Sequence, residues 1–264
     1  MNPLRKASKK LLEKHVYLVG TNHKAGSQLL RNTMHWMFDT LGATDSCQFG
    51  SSSRPITSKP GFNEDCTLHP TPIRFYNSIS GKDILNLRKE AAFTGGMRGV
   101  IIIRDPLEMV VSSFCYHHRG AGAGLGLAPA KIMEMGPEEG VPAMVPYMLP
   151  VVRKMTSAYE VANPVRFEKF TNNSKDFDDT MREILVFLFG NEITEKQKQQ
   201  VLDAAAVEDQ NRGLEGFSED PALNRGFNHT NDEEDMAAAR RALHLIPEDL
   251  LAELQTHRTV LGYA

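Results

Sequence analysis

An uninterrupted apolar run that ends in charged residues constrains the fold of this chain most strongly. The run Gly99–Ile103 shows no alternation of apolar and polar residues, so it is typical of a strand covered on both faces, as in parallel sheets. Arg104, Asp105 and Pro106 end the run, and proline suits the first turn of a helix. The pattern predicts a buried strand, a sharp turn and a helix over 106–117.

A second unit of the same kind lies near the start of the chain. The apolar run His15–Gly20 is followed by apolar side chains at helical spacing up to Gly42, which predicts another strand, turn and helix. Strands that alternate with helices favour an α/β fold with three layers, in which helices flank a central, mainly parallel sheet. Ligands bind such sheets beyond the carboxyl ends of the strands, so both turns are candidate sites. The other predicted elements are strands at 73–79 and 165–170, and helices near 82–92, 142–162, 177–189, 194–206, 232–244 and 247–261.

The composition fits one globular domain over 1–264. Apolar residues make up 41% of the 264 residues, which is enough for a full core. A formal net charge of −3 gives no electrostatic footprint for nucleic acid or an anionic membrane. No stretch reaches the roughly 18 to 20 apolar residues that span a bilayer, and the basic first segment lacks an apolar signal region. We therefore expect a cytoplasmic protein whose three cysteines, Cys47, Cys66 and Cys115, stay reduced.

Two segments stand apart from the alternating pattern. Residues 47–77 are irregular and rich in serine, proline and threonine, and we expect a substrate-side insertion there. Residues 120–128 are rich in glycine, which favours a flexible loop or a solvated connector.

The first turn, over residues 20–28, has the features of an anion site. Backbone N–H groups and the helix dipole point out of the start of a helix and attract a phosphate. The turn differs from an ATP-binding P-loop because Lys24 lies three positions before Ser27 rather than directly before it. A helix start capped by the Ser27 hydroxyl is the alternative interpretation.

The spacing Lys24-x-Gly26-Ser27 resembles the 5′-phosphosulfate loop, K-x-G-T-T, of sulfotransferases that use 3′-phosphoadenosine 5′-phosphosulfate (PAPS). In that family the lysine stabilises charge on the leaving phosphate. The resemblance implies that Lys24, Ala25, Gly26, Ser27 and Gln28 bind the donor. Gln28 replaces the second threonine of the motif, so one hydroxyl contact is lost there.

The second turn resembles the 3′-phosphate motif of the same family, an apolar strand followed by R-[ND]-P-x-[DE] and a serine. Here Arg104 ends the strand and Ser112 lies eight residues later. The resemblance implies that Arg104 and Ser112 hold the 3′-phosphate, and a guanidinium fork and a hydroxyl suit phosphate oxygens. Otherwise Arg104 would pair with a surface carboxylate and Ser112 would face solvent.

Two shorter segments are also similar to the family. Val165–Phe170 is similar to a family strand that ends in an aromatic-Glu pair. Asn224–Phe227 resembles a loop that closes over the cofactor, which implies that Arg225 and Gly226 also bind the donor.

The implied reaction is an in-line transfer of a sulfuryl group from PAPS to a small-molecule acceptor, without a required metal. Lys24 would neutralise the leaving phosphate, and backbone N–H groups of the first turn would assist. The acceptor needs a general base, for which we favour His69. His23, His117, His118 and a carboxylate such as Glu64 remain open, and the acceptor and the oligomeric state are not predicted.

Two other functions remain open. A nucleotide-dependent kinase with an altered P-loop would use Asp105 to bind Mg²⁺ at a strand end. A protein that binds the nucleotide without catalysis would also fit, because Gln28 departs from the motif.

Overall fold

Five parallel strands form the centre of the protein. The computed structural model describes residues 15–42, 49–51, 73–92, 96–121, 126–212 and 232–263. The strands form one sheet in the order β2-β3-β1-β4-β5, and every neighbouring pair is parallel. The predicted parallel sheet is thus confirmed. The strands are β1 (Val16–Gly20), β2 (Phe49–Ser51), β3 (Ile73–Tyr76), β4 (Met97–Ile103) and β5 (Asn163–Arg166).

Helices cover both faces of the sheet and complete the predicted three layers. The helices α1, α6 and α7 pack together, and α2, α3, α4, α8 and α9 form a second group. On the first face, Tyr17 of the sheet packs against Phe38 and Phe189, with ring centroids 5.5 and 5.3 Å away. The helices are α1 (Ser27–Thr40), α2 (Gly81–Ala91), α3 (Pro106–His118), α4 (Pro137–Tyr159), α5 (Phe167–Thr171), α6 (Ser174–Phe189), α7 (Glu195–Ala205), α8 (Glu233–Arg241) and α9 (Glu248–Val260), with 3₁₀ turns at Ile132–Glu134, Ala206–Glu208 and Ala242–Leu245.

The two central strands are fully buried because helices cover them on both sides. All five residues of β1 are buried, as are the last five of β4. Gly20 pairs with Ile101, so the turns that follow β1 and β4 leave the same edge of the sheet. The order of strands reverses beside β1, with β2 and β3 on one side and β4 and β5 on the other. A crevice at such a reversal is where ligands bind in open α/β sheets.

The strand predicted at 165–170 is wrong in its second half. Strand β5 ends at Arg166, and α5 begins at Phe167. Arg166 pairs with Ile103, the last residue of β4. The ladder therefore has no further partner, and the chain turns into a helix.

The region 47–77 contributes to the sheet at both of its ends. It supplies β2 and the whole of β3, while residues 47, 48 and 52–72 lie outside the described part. Strand β3 ends at Tyr76, three residues short of the predicted 79, before Ser80 caps α2 in a reciprocal pair of hydrogen bonds with Asp83. Of the glycine-rich loop at 120–128, residues 122–125 are outside the described part.

Helix α4 starts earlier than predicted and contains three prolines. It begins at Pro137 rather than 142, because proline is well placed in a first turn. Pro142, Pro146 and Pro150 lie inside it at intervals of four residues. Each lacks an N–H and leaves the carbonyl four residues earlier without its helical partner. The helix is anchored instead by buried side chains, among them Val141, Met144, Val145, Met148, Leu149 and Val152.

None of the helices in the described ranges is long and apolar enough to cross a bilayer.

Candidate functional site

The loop between β1 and α1 is fastened to the end of β3. The Thr21 N–H donates to the Tyr76 carbonyl at 2.8 Å, and the Thr21 hydroxyl reaches the same oxygen at 3.2 Å. The Asn22 amide donates to the Ile79 carbonyl at 3.2 Å. The Ala25 N–H donates to the Asn22 carbonyl at 3.0 Å, so the backbone of Ala25 is engaged within the loop.

The start of α1 has no side-chain cap. Gly26 occupies the N-cap position, and the first turn carries no acidic residue. The Ser27 hydroxyl donates to the Asn22 carbonyl at 3.0 Å, so the alternative interpretation of Ser27 as the cap is wrong. The first amides of a helix lack intrahelical acceptors. Those of α1 are therefore positioned to bind an anion.

Gly26 is required by backbone conformation and by packing. Its φ is 99°, in the left-handed region. A Cβ on Gly26 would lie 2.4 Å from Cδ2 of Phe167 and 2.9 Å from Cδ1 of Ile102. Lys24 also has a positive φ, of 64°. The geometry accounts for the glycine in the Lys24-x-Gly26 motif.

Lys24 is a partly buried cation without a counterion among the described residues. Its Nζ lies 3.0 Å from the centroid of the Tyr116 ring. Burial lowers the pKa of Lys24 to about 7, and Arg104 and Arg119 lower it further through charge repulsion. No carboxylate in the described part of the chain pairs with it. A buried charge without a partner is unfavourable, so an anion bound here would stabilise the site.

Arg104 lies against the same loop. Its Nη1 donates to the Lys24 carbonyl at 3.2 Å, and its guanidinium lies 4.4 Å from the centroid of the Phe167 ring. Burial lowers the pKa of Arg104, although Glu108 and Glu168 oppose the change. The two predicted turns thus meet at one edge of the sheet.

The carboxylates next to Arg104 in the sequence are held by other arginines. Asp105 pairs with Arg258 at 2.9 Å, and Glu108 pairs with Arg240 at 2.9 Å. No ion pair joins Arg104 to any carboxylate of the described residues, which argues against the alternative in which it forms a surface ion pair.

Ser112 is buried, with 5% of its surface exposed. It therefore does not face solvent, as the alternative interpretation required. It lies on α3, whose first residue follows the Arg104-Asp105 turn.

The Gln28 side chain belongs to a network that runs along α1. Its Nε2 donates to Asn32 Oδ1 at 2.9 Å, and Asn32 Nδ2 donates to Glu208 at 2.9 Å. Trp36 Nε1 donates to the other Glu208 oxygen at 3.1 Å. Because the side chain is engaged there, only the backbone amide of Gln28 is placed to bind an anion at the start of α1.

A histidine of the first turn and a histidine near the end of α3 are in contact beside Lys24. The Nε2 atoms of His23 and His117 are 3.3 Å apart. Burial lowers the pKa of His23 to about 3, with contributions from Lys24 and His117. Burial and then Lys24 also lower the pKa of His117. Both rings are therefore neutral at physiological pH.

The other candidate bases are placed differently. His118 Nδ1 lies 3.1 Å from the Ile132 carbonyl, and its ring stacks on Phe114. His69 and Glu64 lie outside the described residues, as do the predicted donor-binding residues Arg225 and Gly226. The part of the chain that the structure describes contains no group of three or more His, Cys, Asp or Glu residues that could hold a metal ion.

A cluster that the sequence did not indicate fixes the second turn. Arg258 Nε and Nη2 donate to both Asp105 oxygens at 2.9 to 3.1 Å. Asp105 Oδ1 also accepts from the Leu107 N–H at the start of α3. Glu168 accepts from the Asp105 N–H at 3.2 Å and from the Tyr263 hydroxyl at 2.7 Å. The turn that carries Arg104 is thus held by the end of α9 and by α5.

Comparisons with known proteins give similarities to solved structures and no match by sequence. A scan against protein-family models finds no match, and a search of curated proteins finds none either. Among solved structures, the chain is similar to mouse sulfotransferase SULT7A1 in a complex with PAP, at 13% identity and a TM-score of 0.46. The alignment covers 97% of this chain and 93% of the mouse chain.

Proposed function

We propose that this chain is a sulfotransferase that moves a sulfuryl group from PAPS to a hydroxyl, or less favourably an amine, of a small-molecule acceptor. The observation that carries the proposal is the hydrogen bond of 3.2 Å from Arg104 to the Lys24 carbonyl. It joins two partly buried cations from the ends of two strands, and neither forms an ion pair with a carboxylate of the described residues. A ligand with two separate anionic groups would compensate both cations.

The residues present fit PAPS. The open end of α1 and Lys24 would hold the 5′-phosphosulfate, and Arg104 and Ser112 would hold the 3′-phosphate. The position that a Cβ of Gly26 would occupy is filled by Phe167, the ring on which Arg104 lies. When bound, PAPS supplies an electrophilic sulfur and a phosphate leaving group.

The residues of the chain would position the donor and stabilise the charge on its leaving phosphate. Protonated Lys24 would neutralise the charge that develops on the leaving phosphate, and the amides of Gly26, Ser27 and Gln28 would add hydrogen bonds. The Asp105-Arg258 pair keeps Arg104 at the mouth of the crevice. Arg225 and Gly226 remain proposed donor-binding residues, and His69 remains the base predicted from sequence.

A calorimetric titration with 3′,5′-adenosine bisphosphate, beside ATP and ADP with Mg²⁺, tests donor recognition. We expect the bisphosphate to bind in preference to both. Arg104→Ala should weaken its affinity about 10- to 100-fold, because a charge-assisted hydrogen bond contributes about 1.5 to 3 kcal/mol. Arg98→Ala is the matched control, since Arg98 lies at the opposite end of β4 and bonds to Leu188 and Glu192.

Preference for Mg-ATP would favour the kinase interpretation. Binding of neither nucleotide would contradict the proposal. Asp105, the residue that a kinase would need for Mg²⁺, is held by both of its oxygens to Arg258, and this contact favours the sulfotransferase.

Incubation with PAPS and a panel of phenols, alcohols and amines tests the reaction itself. We expect release of the bisphosphate to depend on an acceptor from the panel. Tight binding of the bisphosphate without any release from PAPS would identify a non-catalytic nucleotide-binding protein.

A further inference from the structure

The contact between His23 and His117 joins the first turn to the C-terminal end of α3. His23 precedes Lys24 in the first turn, and His117 follows Tyr116 on α3. The ring of Tyr116 lies under the Lys24 ammonium, and the two imidazole Nε2 atoms are 3.3 Å apart. The pair therefore lies beside the cation that would hold the leaving phosphate.

The surroundings of the pair determine where its protons lie. One Nε2 must donate to the other, because two lone pairs would repel. His117 is buried, with 3% of its surface exposed, whereas His23 is only partly buried, so an acceptor can reach His23 but not His117. Because Nε2 of His23 faces His117, only Nδ1 of His23 can accept a proton from outside the pair. This requires the tautomer in which His23 Nε2–H donates to His117 Nε2.

We propose that His23 is the general base for sulfuryl transfer and that His117 is a positioning residue that fixes the tautomer of His23. This inference rests on the proposed function, and it places the base at His23 instead of His69. His118, the next residue after His117, is turned toward Ile132 and has no part in the pair.

Sulfuryl transfer with His23 as the base needs no reactant other than PAPS and the acceptor. The acceptor oxygen forms a bond to the sulfuryl sulfur while its proton moves to His23 Nδ1. The bond between sulfur and the bridging oxygen of the 5′-phosphate breaks, and its electron pair stays on the phosphate next to Lys24. The products are the sulfated acceptor, 3′,5′-adenosine bisphosphate and protonated His23, which then releases its proton to water.

The pair also stabilises the protonated state of His23. Once Nδ1 has taken the proton, the Nε2–H of the imidazolium donates a charge-assisted hydrogen bond to His117. The groups that face the pair are Lys24 on the loop and Tyr116 on α3. Burial, and then the charge of Lys24, lower the pKa of His23, so the ring is neutral before the donor binds. An anionic donor would offset the charge of Lys24 and raise the pKa of His23, which would make the ring a stronger base.

Nitrogen NMR of the intact protein tests the pair without any acceptor. With ¹⁵N-labelled histidine, we expect His23 to hold the Nε2–H tautomer and His117 the Nδ1–H tautomer. In His117→Gln, His23 should become a tautomer mixture. His118→Gln is the control and should leave the His23 signals unchanged. A His23 ring whose tautomer does not respond to His117→Gln would overturn the positioning role.

Kinetics test the base. Bisphosphate release from PAPS is measured with the acceptor that the wild type uses best in the panel, or with water if it uses none. We expect His23→Gln to slow the single-turnover rate at least about 100-fold, and His117→Gln to slow it and to shift its pH profile. His118→Gln should retain the wild-type rate. Bisphosphate affinity should change less than about threefold in all three, since general-base catalysis acts on the rate and not on donor binding.

The outcomes separate the two proposals. A wild type that does not bind the bisphosphate refutes the proposed function, whatever the histidines do. If the bisphosphate binds, a wild-type rate in His23→Gln, or a 100-fold loss in His69→Gln alone, overturns the assignment to His23. Binding without any release from PAPS overturns it as well.

Discussion

At the scale of single residues, the site depends on a lysine whose charge is costly to keep. Lys24 lies on an aromatic ring and close to Arg104 and Arg119. Its pKa of about 7 is well below the usual 10.5, so a neutral amine is the more stable form above neutrality. An anionic ligand would restore the charged form, because it supplies the counterion that the described residues lack.

Bisphosphate binding should therefore take up protons above neutrality. Between pH 7 and 10.5 the empty site is mostly deprotonated and the occupied site is protonated, so affinity should fall as pH rises through this window. Titration at pH 8 in buffers of different ionisation enthalpy measures the uptake. Lys24→Met is the control, and equal proton uptake in this variant would contradict the assignment to Lys24.

Alanine substitutions at two glycines with similar backbone angles separate the cost of a steric clash from the cost of the left-handed conformation. Gly26 has φ 99° and Gly96 has φ 95°, but a Cβ at Gly96 has open space around it. Gly96→Ala should cost about 1 to 2 kcal/mol of unfolding free energy, from the left-handed conformation alone. Gly26→Ala should cost about 1 to 3 kcal/mol more, because Phe167 must move. Thermal unfolding without ligand measures both, and an equal loss would show that the contact with Phe167 is not limiting.

The residues of the two turns could be predicted because their chemistry is local in the sequence. Lys24, Gly26 and Arg104 follow strands that the apolar pattern predicts, and the structure brings them together. The pair of His23 and His117 spans 94 residues, and no local spacing indicates such a contact. The engagement of Gln28 with Asn32 and Glu208 is hidden for the same reason.

At the scale of elements, the three prolines of α4 weaken the helix that they lie in. Pro146 is exposed, and its ring removes one bond of the helical ladder. Pro146→Ala should raise the free energy of unfolding by about 1 to 3 kcal/mol, since an interior proline costs about 3 kcal/mol and alanine gives back some unfolded-state entropy.

Pro137→Ala is the matched control within α4. Pro137 occupies the first turn, where a missing N–H costs nothing, so its replacement should not stabilise the protein. Denaturant unfolding of both variants measures the difference. A loss of stability in Pro146→Ala would contradict this account of α4.

The sequence predicts the ends of strands and helices well where a glycine or a proline marks them. Strand β1 and helix α3 lie within one residue of their predicted bounds, because Gly20 and Pro106 mark them. Strand β5 was predicted too long, since the pattern over 165–170 does not reveal that its partner β4 ends at Ile103. Pro137 was an available signal for the start of α4 that the apolar periodicity alone missed.

At the scale of the whole molecule, the Arg104 turn is held by a contact between residues 153 positions apart, Asp105 and Arg258. This pair is mostly shielded from solvent, with side chains 15% and 23% exposed. It therefore joins β4 and α3 to the last helix at the edge of the sheet where we propose that PAPS binds.

A double-mutant cycle measures the coupling. Asp105→Ala and Arg258→Ala should couple by about 1 to 3 kcal/mol in unfolding free energy, because removing either leaves the other without its oppositely charged partner in a shielded place. The Arg153-Glu253 pair, which joins α4 to the same helix α9, is the control. Its more exposed side chains should couple by about 0.2 to 1 kcal/mol. Equal coupling in the two cycles would show that Arg258 does not fix the turn.

The Asp105-Arg258 contact also means that the site is completed only late in synthesis, because the ribosome makes Arg258 long after the two turns. Both turns of the proposed donor site emerge early, when β1, β4 and α3 can already pair and pack, but the turn at Arg104 is not fastened until α9 follows. A nascent chain would therefore contain every residue of the two turns and still lack the contact that holds Arg104 in place. We expect stalled chains that end before Arg258 to bind immobilised bisphosphate more weakly than chains released after α9.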